Sequence, residues 1–180
     1  MCGGRLLSAP HADATFKARQ STIIGNTCLY GATGGELFAA GQAGDRFAVR
    51  NSGAIAVIEG TGYHCCEYMT GGVVLVLGRT GSNFAAGMTG GQAFVLDMDE
   101  EFEKRCNTGE VEVRNLDTSE SSAERNLVYS LIEQHVEYTA SEWGMRLLSN
   151  FEHYLFYFRA VIPKEIPVTK QTSLLLKVVK

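Results

Sequence analysis

The sequence predicts a mostly β fold: a single-stranded parallel β-helix with rungs of about 19 residues, followed by C-terminal α-helices. Three observations predict it: glycines that recur at a fixed period, a short strand-like run after each glycine pair, and a helical apolar pattern in the last third. Gly25, Gly44, Gly62 and Gly81 lie 19, 18 and 19 residues apart. So short a period is typical of one supersecondary unit per repeat, with the units stacked in a line.

Further glycines fall into step with these four. Glycine tolerates positive φ and close backbone approach, so we predict that they form the turns of the rungs. The predicted structural glycine turns are Gly25, Gly34, Gly35, Gly41, Gly44, Gly53, Gly60, Gly62, Gly71, Gly72, Gly78, Gly81, Gly90 and Gly91. The hydroxyl column Thr33, Ser52, Thr70 and Thr89 is interpreted as a side-chain ladder at these turns rather than as a set of nucleophiles.

A strand of the β-helix is predicted in each repeat, at residues 36–40, 55–59, 73–77 and 92–96. Equivalent strands one repeat apart should pair in parallel. Two apolar columns are expected to point inside, namely Leu37, Ala56, Val74, Ala93 and Ala39, Ile58, Val76, Val95. The column between them points outward yet is apolar, and its members are Phe38, Val57, Leu75 and Phe94. We therefore expect another surface to cover this outward flank.

The rest of the chain differs from the repeats. Residues 22–96 carry seven charged side chains, whereas residues 97–126 carry ten acidic and four basic ones. The predicted division is a β-helix at 1–98, an acidic, solvated connection at 99–120, helices packed on the β-helix at 121–160, and an irregular tail at 161–180. Ser121 is predicted to open the first helix in a capping box with Glu124, and Ser141 to cap a second helix whose apolar face reaches Phe158.

The N-terminus resembles one more rung, because residues 3–7 align with residues 34–38. The segment from Gly4 to Gly25 exceeds that from Gly35 to Gly44 by about 12 residues, which places an insertion at roughly Ser8 to Arg19. No cap precedes this rung, and open solenoid ends are adhesive. We expect either a preceding segment or another subunit there.

Composition excludes several classes of function. A net charge of −4 gives no basic surface for nucleic acid, and no apolar run is long enough for a membrane helix. Five cysteines without a paired framework are typical of a reducing compartment, so a cytoplasmic location is expected.

Four stretches, at residues 24–35, 44–52, 65–72 and 83–91, closely resemble the C-terminal glycine-repeat (GXGXG) domain of the glutamate synthase large subunit. They include the CLYGATGG run of residues 28–35 and the AGMTGG run of residues 86–91. The resemblance extends from about Gly3 to about Tyr157 and weakens after Pro163. A more distant resemblance is to the subunit of formylmethanofuran dehydrogenase that shares this repeat.

The resemblance implies a right-handed β-helix within a large oxidoreductase of nitrogen metabolism. That enzyme moves the amide nitrogen of glutamine onto 2-oxoglutarate to form glutamate, using FMN and an iron–sulfur cluster. Its glutaminase and flavin-binding synthase domains carry the chemistry, so they are the implied partners. The resemblance transfers no catalytic, cofactor-binding or metal residue to this chain, whose implied role is to hold those domains in position.

Other chemical candidates have simpler interpretations. Cys2 is not followed by a glutaminase sequence, and Cys65 and Cys66 lack the second ligand cluster that a metal site needs. Cys65 shares a column with Cys28, Phe47 and Phe84 and is predicted to be a core residue, with Cys66 on the opposite face. No Lys-Ser/Thr follows the glycines as in a phosphate loop. Arg46, Arg50 and Glu67 are expected to form structural ion pairs, and His135 and His153 to be packed or surface histidines.

Two functions remain open at this point. The chain is a structural domain or subunit of glutamate synthase, or a free-standing β-helix that self-associates. The formylmethanofuran dehydrogenase subunit is a third, weaker alternative. The sequence fits both a natural small subunit and a fragment of a longer chain, and it does not specify the electron donor.

Overall fold

The computed structural model describes residues 1–11 and 13–164. Its strands are β1 (Cys2–Ser8), β2 (Thr22–Ile24), β3 (Gly34–Ala39), β4 (Gln42–Ala43), β5 (Ser52–Ile58), β6 (Thr70–Val76), β7 (Gly90–Leu96), β8 (Val111–Asn115) and β9 (Phe158–Pro163). Its helices are α1 (Phe102–Arg105), α2 (Ser122–Thr139), α3 (Glu142–Ser149) and α4 (Phe151–Leu155), with 3-10 turns at Ala18–Gln20 and Ser119–Ser121.

The repeats form a parallel β-solenoid. The main sheet has the strand order β1-β3-β5-β6-β7-β9-β8, and the first five strands pair in parallel. The predicted columns are in register: Phe38 pairs with Val57, Val57 with Leu75, and Leu75 with Phe94. The predicted N-terminal rung is confirmed too, since Leu6 pairs with Leu37 and Leu7 with Phe38. A second sheet joins β2 and β4 on another side of the stack.

Two apolar cores lie on the two faces of the main sheet. The inner core fills the solenoid and contains both inward columns together with Phe47, Phe84 and Met88. The outer core contains the outward column, which packs against α2 and α3 through residues such as Leu131 and Leu147. The surface that was expected to cover the apolar outward flank is therefore the helical layer.

The third side of each rung has an unusual backbone that the sequence did not predict. Positive φ occurs at every second residue there, and most of these residues are not glycine: Thr27, Leu29, Gly31; Arg46, Ala48, Arg50; His64, Cys66, Tyr68; Asn83, Ala85, Gly87. Most of the N–H groups of these residues bond between rungs, as when Ala48 N donates to Cys28 O at 2.9 Å and Cys66 N donates to Phe47 O at 2.9 Å. We call this side the left-handed face. Positive φ costs a residue with a Cβ some energy, which the ladder of inter-rung hydrogen bonds offsets.

The far end of the stack is closed by two further strands, of which the one next to β7 runs in the reversed direction. β9 pairs antiparallel with β7, matching Phe94 to Ala160, and β8 pairs antiparallel with β9. The predicted helix reaching Phe158 is therefore wrong: α3 ends at Ser149, α4 follows to Leu155, and Phe158 begins a strand. The open edge of β7 explains the difference, because its unpaired backbone groups are satisfied by a strand and not by a helix.

The connection also differs from its prediction. It was expected to be solvated, but it contains α1 and β8, and Val111 and Leu116 are fully buried. Residues 161–163 were assigned to an irregular tail but belong to β9. Residues 165–180 of that predicted tail lie outside the described part of the chain.

One predicted helix cap is confirmed and the other is wrong. The Ser141 side chain accepts a hydrogen bond from Gly144 N at 2.9 Å and caps α3. Ser121 makes no capping bond to α2; its hydroxyl instead lies 2.8 Å from that of Thr118. Thr118 competes for the Ser121 hydroxyl, which sequence spacing does not reveal.

Candidate functional site

Several of the predicted glycine turns lie where consecutive rungs approach most closely. An ideal Cβ built on Gly53, Gly71 or Gly90 would overlap the backbone carbonyl oxygen of the preceding rung, at Thr33, Ser52 and Thr70 respectively. At Gly81 it would lie 2.6 Å from Tyr63 N. At these positions, consecutive rungs are so close that a Cβ atom would overlap the backbone of the preceding rung.

Other glycines of the set are not in such close contact with the preceding rung, or are favoured by their backbone conformation. Gly35, Gly72 and Gly91 have φ of 95°, 83° and 78°, which favours glycine through backbone conformation. Gly25 has open space, with nothing within 4 Å of an added Cβ. The need for glycine at each position of the set remains a prediction that substitution can test.

The left-handed face presents polar and aromatic side chains to solvent. Tyr30, Tyr63 and Tyr68 are each about half exposed, at 49%, 56% and 55%. Arg46 lies 3.7 Å from Glu67, and His64 lies 3.6 Å from the same carboxylate. The expected ion pair thus forms between Arg46 and Glu67. Arg50 is exposed and has no ion-pair partner within the described residues.

Both adjacent cysteines lie in the inner core, which corrects the prediction for Cys66. Cys65 and Cys66 are fully buried, and their Sγ atoms lie 3.7 Å apart. Alternation of side chains requires extended backbone, but Cys66 has a φ of 58°, so its side chain turns inward beside its neighbour. Burial raises the pKa of the Cys66 thiol well above its ordinary value and that of Cys106 to about 12. Protonated, buried thiols of this kind are unreactive.

The N-terminal rung is an edge of the described structure. β1 is the terminal strand of the main sheet, and Leu6 and Leu7 are 51% and 52% exposed. Leu6 belongs by register to a column that is buried in every other rung, since its partner Leu37 is 1% exposed. Phe16, in the insertion after β1, is 49% exposed. An apolar strand edge of this kind is suited to contact with further protein.

The opposite end is held by a charge network that sequence patterns did not identify. Asp97 is 3% exposed; its Oδ1 accepts a hydrogen bond from Phe102 N at 3.0 Å and lies 3.5 Å from Arg105 Nη2. Arg105 also donates two hydrogen bonds to Asp99, at 2.9 and 2.7 Å, which lower the pKa of Asp99 to about 2. Burial raises the pKa of Asp97. Asp97 occupies the position that Gly41, Gly60 and Gly78 hold in the preceding rungs, and this change of residue type was the available signal in the sequence.

A buried polar cluster beneath the helices was also missed. Glu59 is 2% exposed, His135 is fully buried and Ser141 is 4% exposed. His135 Nε2 lies 3.1 Å from Glu59 Oε1, and the Ser141 hydroxyl donates to the same oxygen. The sequence treated His135 as an ordinary packed residue because its partner lies 76 positions away.

The remaining candidates lie apart from one another. Cys2 is exposed on β1, and His153 stacks edge-on against Tyr154 with the ring centroids 5.3 Å apart. Within the described residues, no group of three or more His, Cys, Asp or Glu side chains is placed to hold a metal ion. No helix in that part of the chain is long and apolar enough to cross a membrane. An open cleft between α2 and α4 is lined by side chains including Arg125, Tyr129 and Phe151.

Comparison with known proteins gives a consistent result. The GXGXG motif family matches residues 1–164. The chain is 48% identical over 173 residues to ferredoxin-dependent glutamate synthase 1 of Arabidopsis thaliana, covering 96% of this chain and 10% of that protein. It is 50% identical over 165 residues to the NADH glutamate synthase of Schizosaccharomyces pombe, covering 92% of this chain and 8% of that protein.

A relative from Synechocystis, ferredoxin-dependent glutamate synthase 2, is 48% identical over 163 residues, which cover 91% of this chain and 10% of that protein. The chain thus spans about a tenth of the length of these curated relatives. The match covers the glycine columns, the strands and the helical layer together. This chain belongs to the GXGXG motif family.

Proposed function

We propose that the chain is a non-catalytic structural domain or subunit of a glutamate synthase. In this role it holds a glutaminase domain and an FMN- and iron–sulfur-containing synthase domain in position while glutamine and 2-oxoglutarate are converted to glutamate. One observation carries the proposal: nearly the whole chain is 45–50% identical to a tenth of proteins named as glutamate synthases.

The physical properties of the solenoid suit this role. Its rungs are tied by inter-rung backbone hydrogen bonds, and apolar cores lie on both faces of its main sheet. A stack that is packed and hydrogen-bonded in this way deforms little, so it can hold the domains that contact it at fixed positions. FMN and the iron–sulfur cluster are proposed to reside in the other domains. Five free thiols and the absence of a disulfide among them favour a reducing compartment, for which we propose the cytoplasm.

The N-terminal rung is the proposed contact surface for the catalytic domains. It combines an edge strand with exposed Leu6 and Leu7, whereas the opposite end of the stack is covered by β9. Hydrogen exchange tests the proposal: amides of Leu6, Leu7 and Ile23 should exchange faster in the lone chain than when the partner domains are present. Equal protection in both samples would place the contact elsewhere.

A segment replacement tests the function itself. In the S. pombe enzyme, the homologous 165-residue segment would be deleted or replaced by this chain. We expect deletion to uncouple glutamine hydrolysis from glutamate formation, and replacement to restore the coupling. Replacement by the Gly71→Val chain, whose rung cannot close on Ser52, should not restore it. Full coupling in the deleted enzyme would refute the structural role.

The lone chain provides a second test. It should bind neither FMN nor an iron–sulfur cluster and should form no glutamate. A yellow, flavin-retaining preparation of the chain alone would contradict the proposal.

Self-association is the second candidate, and the exposed Leu6–Leu7 edge favours it. Purification from the native host separates the two functions. Recovery with a flavin-containing partner supports the glutamate synthase role, whereas a pure homo-oligomer supports the free-standing scaffold.

A further inference from the structure

Glu59 is out of place in its column. Ala40, Leu77 and Leu96 occupy the equivalent positions of the other rungs, and Leu77 and Leu96 belong to the outer apolar core. Glu59 nevertheless is 2% exposed under the helices. A carboxylate in such surroundings is costly unless hydrogen-bond donors surround it.

Two helices supply those donors from different sequence positions. A carboxylate can only accept, so His135 Nε2 on α2 carries the hydrogen that points to Glu59 Oε1, 3.1 Å away. The hydroxyl of Ser141 donates to the same oxygen and simultaneously accepts from Gly144 N at 2.9 Å, which caps α3. The solenoid, α2 and the start of α3 therefore meet at one atom.

The cluster is costly for the stability of the fold. His135 Nδ1 is buried and has no hydrogen-bond partner, and the His135 ring lies 6.4 Å from that of Phe38. Among the described residues, the only ion pair that either Glu59 or His135 makes within 4.0 Å is with the other. Apolar side chains of similar volume would remove both the unpaired nitrogen and the desolvated carboxylate. In some proteins, buried polar groups with such costs specify one arrangement among several that apolar packing alone would allow.

The helices reach from this cluster to the N-terminal rung. The Arg5 guanidinium on β1 lies 4.1 Å from the ring centroid of Tyr138 on α2, and that of Arg19 lies 3.8 Å from the ring of Trp143 on α3. Trp143 Nε1 also donates to Leu77 O at 2.7 Å, beside the rung of Glu59. A shift of the helices along the solenoid would break these three contacts together.

We propose that Glu59, His135 and Ser141 form a registration key, which fixes the helical layer in a single position on the solenoid and thereby orders the N-terminal rung. The key deepens the proposed function, because that rung is the proposed contact surface. The experiments that test the key measure this chain alone, so a negative result would not contradict the proposed role in a glutamate synthase.

The test uses the full chain, whose single tryptophan, Trp143, reports on the position of α3. Glu59→Leu and His135→Leu are made singly and together. Each single change removes a hydrogen-bond partner from a buried polar group and should lower the thermal midpoint. The double change should recover most of the midpoint, yet the Trp143 indole N–H signal in NMR should broaden or split. Amides of Leu6 and Leu7 should then exchange at least about tenfold faster, as expected for a locally opened segment.

Leu131→Ala is the matched control, because Leu131 is 3% exposed in the same interface but takes no part in the key. It should lower the midpoint and keep one sharp indole signal. If the single Leu variants do not fold, Glu59→Gln replaces Glu59→Leu, and it should lower the midpoint while keeping one signal.

The proposal is overturned by any of three results. These are a double variant with one sharp indole signal and parental exchange, single variants with the parental midpoint, or a control whose indole signal also splits.

Discussion

Two glycines of one column provide a test of the rung spacing within a single chain. Gly25 and Gly81 occupy equivalent positions in the repeat, and neither has a positive φ. An ideal Cβ on Gly81 lies 2.6 Å from both Tyr63 N and Gly62 C, whereas one on Gly25 has nothing within 4 Å. Gly81→Ala should therefore destabilise the protein, and Gly25→Ala should not.

The magnitude follows from the geometry. Ordinary van der Waals contact begins at 3.4 Å, so the two rungs at Gly81 must separate by about 0.8 Å, and the atoms in the way are backbone. Overpacking of this kind costs about 1–3 kcal/mol, and the reduced freedom of the unfolded alanine chain offsets roughly 0.4–1 kcal/mol. A net loss of about 1–2 kcal/mol corresponds to a Tm lower by roughly 2–8 °C for a chain of this size. In Gly25→Ala there is no steric overlap, and only the reduced freedom of the unfolded chain contributes. This substitution should therefore raise Tm by up to about 4 °C.

Thermal unfolding followed by circular dichroism measures both variants against the parent, with urea unfolding as a second estimate. The m-value should not change, because neither substitution alters the surface exposed on unfolding. A Gly81→Ala protein that melts at or above the parental Tm would refute the steric account of the glycine columns. So would equal losses in the two variants.

The remaining predictions concern the core and the far end. Cys66→Ser should cost about 1–3 kcal/mol in free energy of unfolding, because it buries an unpaired hydroxyl, and Cys28→Ser, at a partly exposed site, should cost less in the same urea titration. Asp99→Asn should cost about 0.5–1 kcal/mol at pH 7, a small value because the side chain is 43% exposed. The pKa of Asp99 in the folded protein is about 2, below its ordinary value of 3.8, so its contribution to stability is present above about pH 4 and is lost as pH falls towards 2. Melting curves of parent and Asp99→Asn should therefore converge between pH 4 and pH 2, and a constant difference across that range would contradict the assigned ion pair.

The repeating fold could be predicted from sequence because every rung has the same local pattern of glycines and alternating side chains. Period-2 alternation placed Val57 outward and Ile58 inward, and the observed register agrees residue by residue. The rule failed where its premise of extended backbone failed, as at Cys66. Most residue types on the left-handed face do not signal positive φ: His64, Asn83 and the two glycines favour it, but residues such as Arg46, Tyr68 and Ala85 do not. The inter-rung hydrogen bonds that hold this conformation form only in the assembled stack.

Long-range partners account for the other misses. Phe158 continues a helical apolar pattern, but the edge of β7 recruits it into a strand. Glu59 interrupts an apolar column, but its partner His135 cannot be identified locally, because the two meet only when α2 folds back across the rungs. Patterns that repeat within a rung were thus accessible from sequence, whereas contacts set by chain reversal were not.

The antiparallel strand β9 has a consequence for how this architecture changes in length. A new rung pairs in parallel with the strand of the rung before it, but that side of β7 is already occupied by the antiparallel strand β9, so additions after β7 would have to displace β9 first. An insertion of one whole repeat between two existing rungs leaves both ends untouched and moves them apart by about 4.8 Å. Duplication or deletion of an internal repeat of 18 or 19 residues is therefore the route by which such a solenoid acts as an adjustable spacer.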